Sequence, residues 1–180
     1  LLGMPNAGKS SLIRKMSSAK PKVADYPFTT LYPNLGVVSV GMLQSFVMAD
    51  IPGLIQGAAE GSGLGLEFLR HLERTKILLH ILDISPDNVE MEPIHAFNDI
   101  DSELKKYSEE LYKKPRWLVF NKIDLVAPSD LDLMCEKIID AIGWQGKVLR
   151  VSALSGEGCD IIAKNIMKEL DKMASEEVSS

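Results

Sequence analysis

Gly3-Met4-Pro5-Asn6-Ala7-Gly8-Lys9-Ser10 follows an apolar stub, Leu1-Leu2, and opens an amphipathic run. It fits the pattern G-x-x-x-x-G-K-S/T, whose glycines let the backbone turn tightly and aim successive N–H groups at one anion. The positive end of the following helix continues that anion site. In this setting Lys9 would reach the β- and γ-phosphates of a nucleotide, and the Ser10 hydroxyl would ligate Mg²⁺. Asn6, Ala7, Gly8 and Ser11 complete the expected phosphate-side contacts.

Outward from this loop, apolar β-type runs alternate with helical patterns. Helices are predicted over residues 9–16, 64–74, 131–142 and 160–173. A further stripe runs from Pro93 through Ile94, Phe97, Ile100, Leu104 and Tyr107 to Leu111. Strands are predicted over 35–40 and 46–49 as an antiparallel hairpin around Gly41, and over 77–82, 117–120 and 147–151. The fold class is α/β, a three-layer P-loop NTPase fold with a mostly parallel, doubly wound sheet and one antiparallel strand.

Three further segments fall where such a fold gathers its ligand. Asp50-Ile51-Pro52-Gly53 ends the hairpin, where Asp50 can hold Mg²⁺ through its water shell and the Gly53 N–H can approach the γ-phosphate. Asn121-Lys122-Ile123-Asp124 follows a core strand. There the Asp124 carboxylate can accept from guanine N1–H and the N2 amino group together. Adenine offers neither donor, so a buried carboxylate would discriminate against it by roughly 10⁴-fold. Asn121 is expected to tie the surrounding loops, and Lys122 to lay its methylene stem over the base. Ser152-Ala153-Leu154 ends the last strand, with the Ala153 N–H available to guanine O6 and Ser152 bracing the turn.

Asp25-Tyr26-Pro27-Phe28-Thr29-Thr30 lies between the first helix and the hairpin. A loop here can swing over the γ-phosphate, with a threonine hydroxyl completing the Mg²⁺ shell. Thr30 is chosen as the ligand and Thr29 is its alternate; Phe28 is counted among the nucleotide contacts. Lys9, Thr30 and Gly53 are the catalytic candidates. The metal set is Ser10, Thr30 and Asp50, and the ligand is GTP or GDP.

Composition fits this reading. The 180 residues are 46% hydrophobic and 25% charged, as expected for one globular domain. A net charge of −5 gives no overall pull toward nucleic acid or anionic membrane, so neither sequence-specific DNA binding nor a membrane is expected. Local basic clusters remain at residues 14–22 and 105–116. Cys135 and Cys159 have neither metal-ligand nor disulfide spacing and read as reduced thiols of a cytoplasmic protein. His71, His80 and His95 read as packed or solvated, since none has ligand spacing. The phosphate loop begins only two residues into a chain without an initial Met. Residues 1–174 are therefore expected to be one excised domain with a truncated first strand, and 175–180 a frayed tail or linker.

With these motifs in order the chain resembles a P-loop GTPase of the Obg family, the ribosome-associated GTPases of bacteria and organelles. The residues that carry the resemblance are 3–10, Lys20-Pro-Lys-Val-Ala-Asp-Tyr-Pro-Phe-Thr-Thr-Leu31, Pro33-Asn-Leu-Gly-Val37, 49–65 and Phe68-Leu-Arg-His-Leu-Glu-Arg-Thr75. One departure is Gln56, where the family's Gly-Leu-Ile-Glu-Gly-Ala has Glu. The resemblance implies GTP hydrolysis as a switch, cytoplasmic control of large ribosomal subunit assembly, and a preceding glycine-rich domain; the chain is expected to be a monomer.

Hydrolysis would run by in-line attack of water on the γ-phosphate, stabilised by the loop amides, Lys9 and Mg²⁺. Leu54 stands where Ras-like enzymes place a water-orienting Gln, so slow intrinsic turnover is expected; Gln56 is chemically capable but two residues away. Asn6 has two open readings, a turn residue or a K⁺ ligand like the corresponding Asn of related GTPases. Gly53, Gly57, Gly61, Gly63 and Gly65 mark a second switch. Alternatives are a guanine-nucleotide-binding module with negligible hydrolysis, and an ATPase or kinase on the same loop, which Asp124 disfavours.

Overall fold

The computed structural model describes residues 1–18, 22–23, 34–50, 74–87 and 92–178. The elements run α1 (Lys9–Met16), β1 (Lys22–Val23), β2 (Asn34–Gly41), β3 (Gln44–Ala49), β4 (Leu78–Asp83), α2 (Pro93–Tyr107), α3 (Glu109–Tyr112), β5 (Arg116–Asn121), a 3₁₀ turn (Ile123–Leu125), α4 (Pro128–Ile142), β6 (Val148–Arg150) and α5 (Cys159–Val178).

Strands β4 and β5 are mostly apolar and buried along nearly their whole length, as strands covered on both faces are. They pair in parallel with each other, and β5 pairs in parallel with β6. Alternate side chains feed two layers. Leu79, Ile81, Trp117 and Val119 meet Leu12 and Ile13 of α1 and Ile162 and Ile166 of α5. Leu82, Leu118 and Phe120 meet Phe97 of α2 and Ile138 of α4. The α/β class and the helices on both faces are as the sequence predicts.

The sheet itself differs from a single mixed one. Among the described residues β1, β2 and β3 form a separate antiparallel set, and β4, β5 and β6 a parallel one. Leu1 and Leu2 lie between them. The amino group of Leu1 donates to the Ala49 carbonyl, and Leu2 forms a parallel bridge to His80. Strand β1 falls in a stretch the sequence assigns to a loop; two residues are too short for a periodic signal.

Three helix boundaries depart from the sequence reading. The stripe from Pro93 to Leu111 is two helices, because Ser108 is extended (φ −158, ψ 117) and its side chain accepts from the Leu111 N–H at 3.2 Å. Helix α4 starts at Pro128, whose fixed φ suits a first turn that carries no apolar residue until Leu131. Helix α5 runs through Val178, so residues 175–178 are not a frayed tail. Ser175 donates to the Asp171 carbonyl at 2.9 Å, and Glu177 pairs with Lys76. The described part of the predicted helix 64–74 is Arg74 alone, in a turn; residues 64–73 lie outside the described residues.

His80 is fully buried and stacks on Phe97 with ring centroids 4.8 Å apart. Burial, and then the charges of Arg116 and Lys9, press its pKa from 6.5 down to about 3. The folded imidazole therefore stays neutral while the unfolded one takes a proton. Stability from this group is complete above pH 6.5 and declines as pH falls from there toward about 3. At pH 5 the loss should be about 2 kcal/mol. Urea unfolding of wild type and His80→Leu at pH 7.5 and 5 checks this. The variant should lose about 2 kcal/mol less between the two pH values, and equal losses would reject it.

Candidate nucleotide-binding site

The site is built where the carboxyl ends of β3, β4, β5 and β6 face the start of α1. Its organising side chain is Asn121, 1% exposed at the end of β5. Its Nδ2 donates to the Ala7 carbonyl at 2.8 Å, and its Oδ1 accepts from the Ala153 N–H at 3.0 Å. One amide thus joins the phosphate-type loop to the loop after β6. The sequence reading offers the Ala153 N–H to a purine O6; here it is held by Asn121. Gly8, at φ 96, makes the approach possible, since a Cβ there would stand 2.2 Å from Asn121 Nδ2.

Ser152 is buried, accepts on Oγ from the Ser155 N–H at 3.0 Å, and accepts on its carbonyl from the Gly156 N–H at 2.8 Å. That closes the turn which presents Ala153 and the exposed Leu154. Lys122 adopts a left-handed backbone (φ 67, ψ 33), and its Nζ pairs with Asp83 Oδ2 at 2.6 Å. Asp83 is itself fixed, because its Oδ1 accepts from both the N–H and the hydroxyl of Ser85 at 2.9 and 2.6 Å. Between these loops and α1 opens a cleft of about 440 Å³, lined by Gly8, Ser11, Arg14, Lys15, Asn121, Lys122, Asp124, Leu125, Ala153 and Leu154.

On the phosphate side Lys9 curls back over its own loop. Its Nζ donates to the carbonyls of Gly3 at 2.7 Å and Met4 at 2.8 Å. Burial lowers its pKa and the nearby Asp50 charge opposes that shift. Asp50 follows β3, with its N–H on the Asn34 carbonyl at 3.0 Å. Its Oδ1 is buried and has no hydrogen-bond partner among the described residues. Ser10 Oγ accepts from Asn34 Nδ2 at 3.3 Å. Asn6 is exposed in the left-handed region at φ 65, a conformation asparagine tolerates better than most residues.

Phe28, Thr29, Thr30, Gly53, Leu54, Gln56, Gly57, Gly61, Gly63, Gly65 and His71 lie outside the described residues. Five contributors escape the sequence reading, among them Leu125 on the cleft wall. Arg14 and Lys15 line the cleft although α1 carries no motif beyond Ser10; their place in a basic cluster was the available hint. Asp83 ends a core strand, the position at which open α/β sheets gather ligand-facing residues. Asn34 lies in the Pro33–Val37 stretch that carries the Obg resemblance, but the sequence gives it no role of its own.

A phosphate-type loop latched by a buried amide to a base-side loop, on a doubly wound sheet, makes this a P-loop G domain. Solved structures with the same fold include nucleolar GTP-binding protein 1 from Plasmodium falciparum, with TM-score 0.61 and 23% identity over 99% of this chain and 89% of that one. The G domain of the T. maritima FeoB iron transporter has TM-score 0.62 and 20% identity over 93% and 94%. The family described as 50S ribosome-binding GTPase matches residues 1–122, and the chain belongs to it. It is 58% identical over 173 residues to GTPase Obg of Dichelobacter nodosus (strain VCS1703A), covering 96% of this chain and 49% of that protein. The Obg resemblance read from the sequence is borne out, and the chain spans about half the length of the curated relative it matches. No described helix is long and apolar enough to cross a membrane.

Replacing Asn121 by Ala removes both bonds of the latch and strands a buried carbonyl and a buried N–H. Stability without nucleotide should fall by about 2–4 kcal/mol in urea unfolding. An unchanged midpoint would mean that the two loops hold their shapes independently.

Proposed function

We propose that this chain binds GDP and GTP with Mg²⁺ in the cleft between the two latched loops, and hydrolyses GTP slowly as a switch. The observation that carries the reading is the Asn121 latch, which sets an anion-binding loop and an Asp124-bearing loop on one cavity. Asp124, exposed on the wall, is free to accept from guanine N1–H and N2. Lys122, its head anchored on Asp83, offers its methylene stem to the base, with Leu154 beside the same cavity.

On the phosphate side Lys9 exchanges the Gly3 and Met4 carbonyls for phosphate oxygens. Asp50, with a buried oxygen that has no partner among the described residues, and the Ser10 hydroxyl are hard oxygen donors suited to Mg²⁺. Thr30 and the Gly53 N–H complete the γ-phosphate side. Bound Mg²⁺ would neutralise charge on the β- and γ-oxygens. Asn6 is the K⁺ candidate. For the whole protein to which this domain corresponds, family membership supports a cytoplasmic role on the large ribosomal subunit; the domain itself is proposed to be monomeric.

Calorimetry with GDP, GTP and ATP in Mg²⁺ buffer tests the reading. Binding of both guanine nucleotides and not ATP is expected, and absence of heat with GDP and GTP alike would end it. Asp124→Asn loses the carboxylate's paired bonds and should weaken GDP binding by about 100-fold or more while improving xanthosine diphosphate binding. Unaltered guanine selectivity would remove Asp124 from base recognition. Single-turnover phosphate release in matched KCl and NaCl should be faster in KCl; equal rates would exclude the K⁺ role of Asn6.

A further inference from the structure

Asn34, the first residue of β2, touches both described residues assigned to Mg²⁺. Its carbonyl accepts from the Asp50 N–H at 3.0 Å, and its Nδ2 donates to Ser10 Oγ at 3.3 Å. The first contact continues the β2–β3 ladder, in which Leu35 pairs with Ala49. The second depends on how closely β2 lies against α1. Gly36 measures that closeness, because a Cβ there would stand 1.9 Å from Ser17 Oγ and 2.7 Å from Ile13 Cγ2. Only with the strand pressed onto the helix does a side chain as short as asparagine reach Ser10.

A serine hydroxyl has two lone pairs and one proton. A donor on one lone pair leaves the second for a metal and the proton for a carboxylate. We infer that Asn34 is a positioning residue for Mg²⁺, its carboxamide fixing the Ser10 hydroxyl so that one lone pair stays available to the ion while its carbonyl holds Asp50 alongside. This rests on the reading of Ser10 and Asp50 as metal ligands. Asn34 acts through Ser10 and does not itself ligate.

The experiment follows release of fluorescently labelled GDP from the 180-residue chain across a Mg²⁺ titration and in EDTA. It compares wild type, Asn34→Ala, Ser10→Ala and the double variant. Asn34→Ala should raise the Mg²⁺ concentration for half-maximal slowing of release about two- to tenfold, the worth of one hydrogen bond. The EDTA rate should not change. In the Ser10→Ala background the second substitution should add nothing, as expected when one residue acts through the other. If Ser10→Ala shifts the Mg²⁺ midpoint and Asn34→Ala does not, or if the two shifts add, the positioning role is wrong and the ligand reading survives. Acceleration by Asn34→Ala that is equal in Mg²⁺ and in EDTA would also overturn it. If Ser10→Ala leaves the Mg²⁺ dependence intact, the ligand reading fails and takes this inference with it.

Discussion

One buried carboxamide holds the site together. Parallel strands end on the same side of a sheet, so the terminus of the central strand β5 faces the loops after its neighbours and the start of α1. Asn121 sits at that terminus and has what the position needs, a donor for the Ala7 carbonyl and an acceptor for the Ala153 N–H. An aspartate could not donate, and a leucine of similar size would leave both backbone groups buried and unpaired, at about 1–3 kcal/mol each. The requirement propagates to Gly8. Glycine there serves the turn through its φ of 96, and serves the latch by leaving room for the amide.

Around that latch the backbone is held in conformations that L-residues ordinarily avoid. Among the described residues the non-glycine positions with positive φ are Asn6, Leu43 and Lys122; Lys122 lines the cleft and Asn6 lies in the loop that leads to Gly8. Such conformations cost of order 1 kcal/mol or more each and persist only where surroundings over-determine them. For Lys122 the surroundings are explicit. Its ammonium is fixed on Asp83 and Asp83 on Ser85, while its carbonyl accepts from the Leu125 N–H at 3.0 Å, so the strained residue is anchored at both its side-chain end and its backbone.

Elements whose signal is local were legible in the sequence. Helix α1 begins and ends where the residues after the phosphate loop predict, and Gly143 at φ 65 closes α4 as a glycine after an apolar run should. The failures have the opposite character. Ser108 breaks an apolar stripe that keeps its period, because Leu111 remains buried after the break. Periodicity reports which face is inside and is blind to a capped one-residue interruption. Helix α5 continues past its apolar stripe, where Glu177 pairs with Lys76, a hundred residues earlier, a contact no local pattern announces. Asn34 and Asp83 were invisible for the same reason. Their roles are defined by Ser10 and Lys122, with which they share no local pattern, and only the packing of β2 on α1 and of β4 beside β5 brings each pair into contact.

Lys9 ties the loop after Leu2 back onto itself, through bonds from its ammonium to the Gly3 and Met4 carbonyls. An ammonium among backbone N–H groups would repel the loop; here it bonds the Gly3 and Met4 carbonyls and closes the ring from inside. Burial disfavours its charge, and the attraction that opposes this comes from Asp50. On the proposed reading a divalent ion at Asp50 would offset that attraction, leaving the charge of the partly buried Lys9 less well balanced. A phosphate restores the balance more strongly, through charge-assisted bonds. Bare Mg²⁺ would therefore raise the cost of Lys9, and bare nucleotide would bring its phosphates up against the Asp50 carboxylate. On that reading the complex of the two would satisfy both groups at once, and the opposition of charge across the loop would favour a metal–nucleotide pair over either component alone.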